Sequence, residues 1–164
     1  MSTATDTTST QTTATDANNT GSTPVAQPAG SANPTLARGK VTAVRDGKVV
    51  FAPSNTNYEL ELVCPSYAGP VNKPVSGTIR VKARKVWTVP TGGAFITPLF
   101  GPPKIIQGRV RHLTKSTLVV HAGTTITVDL PDEEIVYDLA DGPIAEGRMV
   151  NVTAFAGGTF ELAK

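Results

Sequence analysis

Beyond residue 36 the chain alternates apolar and polar positions with a period of two. Tyr58, Leu60 and Leu62 fall on one side of an extended segment while Glu59 and Glu61 fall on the other. Ile126, Val128 and Leu130 repeat the pattern, with Thr127 and Asp129 outward. In Gly77-Thr78-Ile79-Arg80-Val81-Lys82-Ala83-Arg84-Lys85-Val86-Trp87 the alternation places Ile79, Val81 and Ala83 in a core and Arg80, Lys82 and Arg84 outside it. Turn residues divide the runs. Asp46-Gly47 between Val44 and Val49 is a hairpin signal, because the turn that suits twisted strands needs positive φ; Thr114-Lys115-Ser116 is a weaker counterpart. The predicted strands are 39–45, 48–53, 58–64, 77–89 and 94–97, then 108–113, 117–122, 125–130, 147–155 and 159–162. Helical periodicity is absent, leaving at most a single turn over 133–139.

The two sets of five carry matching landmarks in the same order. Gly39-Lys40-Val41 returns as Gly108-Arg109-Val110, and Gly69-Pro70-Val71 as Gly142-Pro143-Ile144. Gly77 and Gly147 each open a long alternating run, and Gly92-Gly93-Ala94-Phe95 returns as Gly157-Gly158-Thr159-Phe160. Units of this length exceed the 20–50 residues of solenoid repeats, so the pattern implies two small domains rather than an array.

Five short, half-buried strands favour closure into a small barrel, which removes exposed edges. Three strands, a longer connection and two more strands resemble an OB-fold, over residues 37–164 and at the level of topology. The connection holds Pro65, Gly69, Pro70 and Pro74 where OB-folds often carry a helix, which keeps an SH3-like barrel as the alternative. The expected fold is all-β: two tandem five-stranded OB-like barrels, over 37–97 and 108–164, joined by 98–107 and preceded by a disordered tail over 1–36. Tyr58, Phe95 and Phe160 are expected inside.

Composition separates the tail from the rest. Its first 35 residues hold no Lys, Arg or aromatic residue, and only Met1 and Val25 among large aliphatic ones. Such a segment buries too little apolar surface to offset the entropy of ordering. It lacks the basic start and apolar run of a signal peptide. The chain has no apolar run of bilayer length. Cys64 is the only cysteine, which excludes an intramolecular disulfide and agrees with a cytoplasmic, soluble protein. Net charge is +2, yet 36–104 carry ten Lys/Arg against three acids and 105–164 five against eight. That asymmetry favours an anionic partner for the first half, or head-to-tail self-association.

Candidate chemistry is sparse. Arg80, Lys82 and Arg84, with Lys85 and Trp87, form the candidate surface for nucleic acid or another anionic partner. Single-strand binders add exposed rings at about 1–3 kcal/mol per stacked base, and only Trp87, Tyr67 and Phe155 qualify here. Leu99, Phe100, Ile105 and Ile106 in the proline-rich joint are expected to fill a contact between barrels, or else to dock a protein. His112 and His121 with Asp129 would be a minimal metal set, but no spaced ligand motif is present. Walker, G-x-S-x-G and H-E-x-x-H motifs are absent, Asp132-Glu133-Glu134 reads as a solvated loop, and Cys64 reads as buried and inert. The expectation is therefore a non-enzymatic binding or assembly module without metal or cofactor. Its partner would be a protein or a second copy, with single-stranded nucleic acid as the alternative and an unrecognised enzyme as the third reading.

Overall fold

A computed structural model describes residues 33–133 and 135–164. The expectation of a disordered tail falls, up to residue 32, outside the described residues. The elements in order are β1 (Leu36–Arg45), β2 (Lys48–Pro53), β3 (Glu59–Val63), β4 (Pro74–Val89), β5 (Phe95–Thr97) and β6 (Phe100–Gly101). They continue with β7 (Ile105–Leu113), β8 (Thr117–His121), β9 (Thr125–Asp129), β10 (Val136–Asp138), β11 (Met149–Ala154) and β12 (Thr159–Leu162). The described residues form no helix, and the fold is all-β, a mixed twelve-stranded sheet. No helix among them is long and apolar enough to cross a membrane.

Local chemistry explains the hairpins. Asp46 and Gly47 both take positive φ, 49° and 73°, and Arg45 pairs with Lys48, as a two-residue turn of the expected kind requires. Gly39 and Gly108, each followed by a basic residue and valine, both sit where a Cβ would run into a carbonyl oxygen of the neighbouring strand, Ala52 O and His121 O. Three residues beyond each glycine the ladder slips, at Thr42 between Val41 and Ala43, and at Arg111 between Val110 and His112. Such bulges bend and twist a strand, and both fall at the same distance after a glycine.

The pairings trace two circuits that share β4. In the first, β1 pairs with β2, β2 with β3, β3 in parallel with β12, β12 with β4, and β4 with β1. In the second, β4 pairs with β11, β11 with β7, β7 with β8, β8 with β9, and β9 in parallel with β4. β4 spans 16 residues, and its start serves the first circuit while its end serves the second.

The last short strands therefore differ from the sequence expectation. Residues 95–97 do not complete the first set; β5 pairs with β7 in the second. Residues 159–162 do not complete the second set; β12 lies between β3 and β4 in the first. The cause is the length of β4. Once it leaves the first circuit at Arg80, the edges there need another strand to satisfy their N–H and C=O groups, and β12 supplies it.

One continuous apolar core fills both circuits, from Phe51, Leu60 and Phe160 to Leu118, Ile126 and Val152, and the described residues form a single compact unit. Phe160 is 3% exposed and stacks on Phe51 at 4.9 Å. Tyr58 also packs against the core, and its hydroxyl accepts a hydrogen bond from Ile96 N at 3.1 Å. Phe95 is an exception to the expected burial, at 36% exposed on the outward side of β5.

Candidate binding surface

β4 alternates as expected up to Arg84: Ile79, Val81 and Ala83 are buried while Arg80, Lys82 and Arg84 are exposed. The basic positions are not equivalent, however. The Arg80 guanidinium grips Asp129 twice, Nη2 to Oδ1 at 2.6 Å and Nε to Oδ2 at 3.3 Å. That contact joins β4 to β9 and raises the Arg80 pKa above its usual value, the hydrogen bond that the guanidinium donates to the carboxylate being the main cause. Lys82 Nζ lies 5.6 Å from the centre of the Phe155 ring, and Lys85 Nζ lies 5.1 Å from that of Trp87. Two of the three candidate stacking rings thus carry a lysine of their own chain. The third, Tyr67, packs against Phe160 and donates its hydroxyl proton to Pro70 O at 2.8 Å.

The ladder slips at Arg84, because Thr153 pairs with Lys85 and Ala154 with Ala83. Parity inverts there, so Val86 and Thr88 turn inward and Lys85, Trp87 and Val89 outward. The registers then set two rows across the outer side of the second circuit. Trp87, Asn151, Gln107 and Phe95 stand in one; Lys85, Thr153, Ile105 and Thr97 stand in the next. Two groups of candidates from distant parts of the sequence, Lys85 with Trp87 and Ile105, thereby meet on one face.

The joint behaves differently from the sequence expectation. Of its four apolar candidates only Ile106 is buried; Leu99 is 50%, Phe100 63% and Ile105 36% exposed. The backbone carrying them is nonetheless fixed. Glu59 N donates to Leu99 O and Lys104 N donates to Thr97 O, each at 2.8 Å.

Between Val89 on β4 and Phe95 on β5 the chain passes over β11 and β7 as a strap. Gln107 Nε2 donates to Gly93 O at 2.9 Å and ties the strap to the outward side of β7. Asn151 is buried on that side, and its Nδ2 donates to Gln107 Oε1 at 2.9 Å. A cavity of about 360 Å³ opens at the strap, lined by Val89, Pro90, Thr91, Gly92, Arg109, Gly147, Arg148 and Met149. A larger, more apolar groove of about 560 Å³ runs between 63–68 and β12, past Cys64, whose thiol burial pushes up above its ordinary pKa.

No family model, curated protein or solved structure matches the chain.

The histidines do not converge. His112 Nδ1 stands 3.1 Å from Glu146 Oε1, whereas His121 pairs with Arg109 further along the same hairpin. Burial lowers the His121 pKa, and the Arg111 charge lowers it further. Among the described residues no group of three His, Cys, Asp or Glu side chains is placed to hold a metal ion. Sequence reasoning missed Arg109 and Arg148, which reach one cavity from β7 and from the turn before β11. Only the recurrence of a basic residue after Gly39 and Gly108 hinted at the first of them.

Proposed function

We propose that the chain is a non-enzymatic binding module, built as two OB-like five-stranded barrels that share a strand, which docks a protein partner through the exposed apolar hairpin 95–107. The carrying observation is that Phe95, Leu99, Phe100 and Ile105 are all substantially exposed on a backbone fixed by hydrogen bonds. Large apolar side chains exposed this close together in sequence are a candidate interaction site, because sizeable exposed apolar patches are uncommon on monomers. Aromatic anchors on a rigid frame dock at low entropic cost. The barrel reading is supported by the two closed pairing circuits, and the duplication by the glycines and bulges repeated at one offset.

The expected occupant is a second copy. The chain carries opposite net charge in its two halves, so copies arranged head to tail would attract while their apolar hairpins are covered. Light scattering of the full chain against concentration tests this. Association should grow with concentration, and the double substitution Leu99→Ser with Phe100→Ser should remove it, because both side chains lie outside the core. A strictly monomeric particle at every concentration would refute self-association.

The basic strand is a weaker docking surface. Arg80 is already neutralised by Asp129, and the faces of Trp87 and Phe155 carry lysines. Binding to single-stranded DNA at low salt, weakening steeply as salt rises, would favour nucleic acid over this reading.

A further inference from the structure

We propose that the cavity at the 90–93 strap is a binding site for a phosphate-sized oxyanion, either the free ion or the end group of a small phosphomonoester. The argument starts from the two guanidiniums. Arg109 Nη1 donates to Gly147 O at 3.0 Å, and Arg148 Nη2 donates to the main-chain oxygen of Asp141. Among the described residues neither arginine forms an ion pair with a carboxylate. Of the neighbouring acids that could compete, Glu146 is already held by His112, and Asp141 meets Arg148 through its main-chain oxygen and not through its carboxylate. Each arginine is therefore anchored by one bond to a carbonyl, while its other N–H donors and its whole charge remain uncommitted. Arginine placed in this way matches the geometry of a tetrahedral oxyanion better than any neutral ligand.

The other side of the cavity is suited to the same ligand. Thr91, which carries a hydroxyl, lines it, and among the described residues the amides of Thr91 and Gly92 donate to no other backbone group. Gly147, with φ of 82°, adds no side chain to the rim, whereas a Cβ at Gly92, with φ of 151°, would meet Gln107 Nε2. A successive pair of free amides beside positive charge is a recurrent anion cradle. At about 360 Å³ the cavity lies at the small end of ligand sites, which fits a single charged group with a short substituent. The site also makes sense of a local contradiction in charge. The second half is acidic overall, yet two of its five basic residues converge here.

An amide-resolved NMR titration of the full chain with inorganic phosphate, at ionic strength held constant with chloride, tests the proposal. The expected result is saturable shifts at Thr91, Gly92, Gly147 and Arg148, with a Kd of about 1 mM. Arg148→Gln should weaken binding by about tenfold, as expected when one charge-assisted contact is lost. Because Arg109 and Arg148 also brace the backbone, Thr91→Glu serves as the second variant. It leaves both arginine-to-carbonyl bonds in place and should abolish saturation by putting a carboxylate in the cavity. The absence of saturable shifts, unchanged affinity in Thr91→Glu, or equal shifts at Arg84 and Lys115 would each overturn the site. A parallel titration with glycerol phosphate separates the sources. Tighter binding than inorganic phosphate assigns the cavity to an end group, and equal or weaker binding assigns it to the free ion.

Discussion

Replacing Phe160 by alanine should weaken the half of the molecule built from β1, β2 and β3, far before it in sequence, and not the half formed by β7 to β9. The ring is almost wholly buried, stacks on Phe51 at 4.9 Å and sits 6.3 Å from Tyr67. Gly77 approaches so closely that a Cβ there would overlap the ring, so the surrounding backbone has no side chain with which to fill the vacancy. A buried Phe→Ala change of this kind costs about 3–5 kcal/mol, a large part of the 5–15 kcal/mol typical of a domain. Urea denaturation gives the size, and amide hydrogen exchange gives the place. Protection should fall first in β1, β2 and β3, including Val63 N, which donates to Gly158 O just before β12. Phe95→Ala is the control, because that ring follows the same Gly-Gly signature but is exposed; it should cost about 1 kcal/mol. Equal costs for the two substitutions, or protection lost first in β7 to β9, would refute the reasoning.

Other outcomes follow from the same geometry. Gly39→Ala and Gly108→Ala should each destabilise the chain by about 2 kcal/mol or more in urea melts, since the added methyl meets a neighbouring carbonyl that belongs to the ladder. A double-mutant cycle on Arg80 and Asp129 should give a coupling of about 0.5–1 kcal/mol that shrinks with added salt, as both side chains are partly exposed. His121 is easier to protonate in the unfolded chain than in the folded one, so the unfolded state binds more protons once the pH drops below about 6.5. Stability should therefore decline from that pH downward, until the folded ring also titrates, and His121→Gln should flatten the decline measured by thermal melts across pH.

The strands were legible because burial on one side writes itself into every second residue. Leu60 and Leu62 against Glu59 and Glu61 needed nothing else, and Asp46-Gly47 fixed its own turn through the φ values it tolerates. Partner choice left no such trace. Phe95 and Phe160 stand in nearly identical local sequence yet end exposed and buried, because which ladder receives β5 or β12 depends on how far β4 runs. The stripe of Arg80, Lys82 and Arg84 was readable as outward-facing, but the acid that neutralises its first member lies 49 residues away. Exposure of Leu99 and Phe100 was equally hidden, since apolar residues read alike whether they meet a core or a partner. Arg109 and Arg148 meet only after β7 and β11 are side by side, a proximity that no local pattern encodes.

The shared strand β4 has a genetic corollary. Neither half of this chain is a portable cassette: a recombination event or protease cut between residues 98 and 104 would hand each product a ladder missing the segment that the other carries away. Selection on such a molecule acts on the pair as a whole, so insertions should be tolerated at its outer turns and excluded from β4.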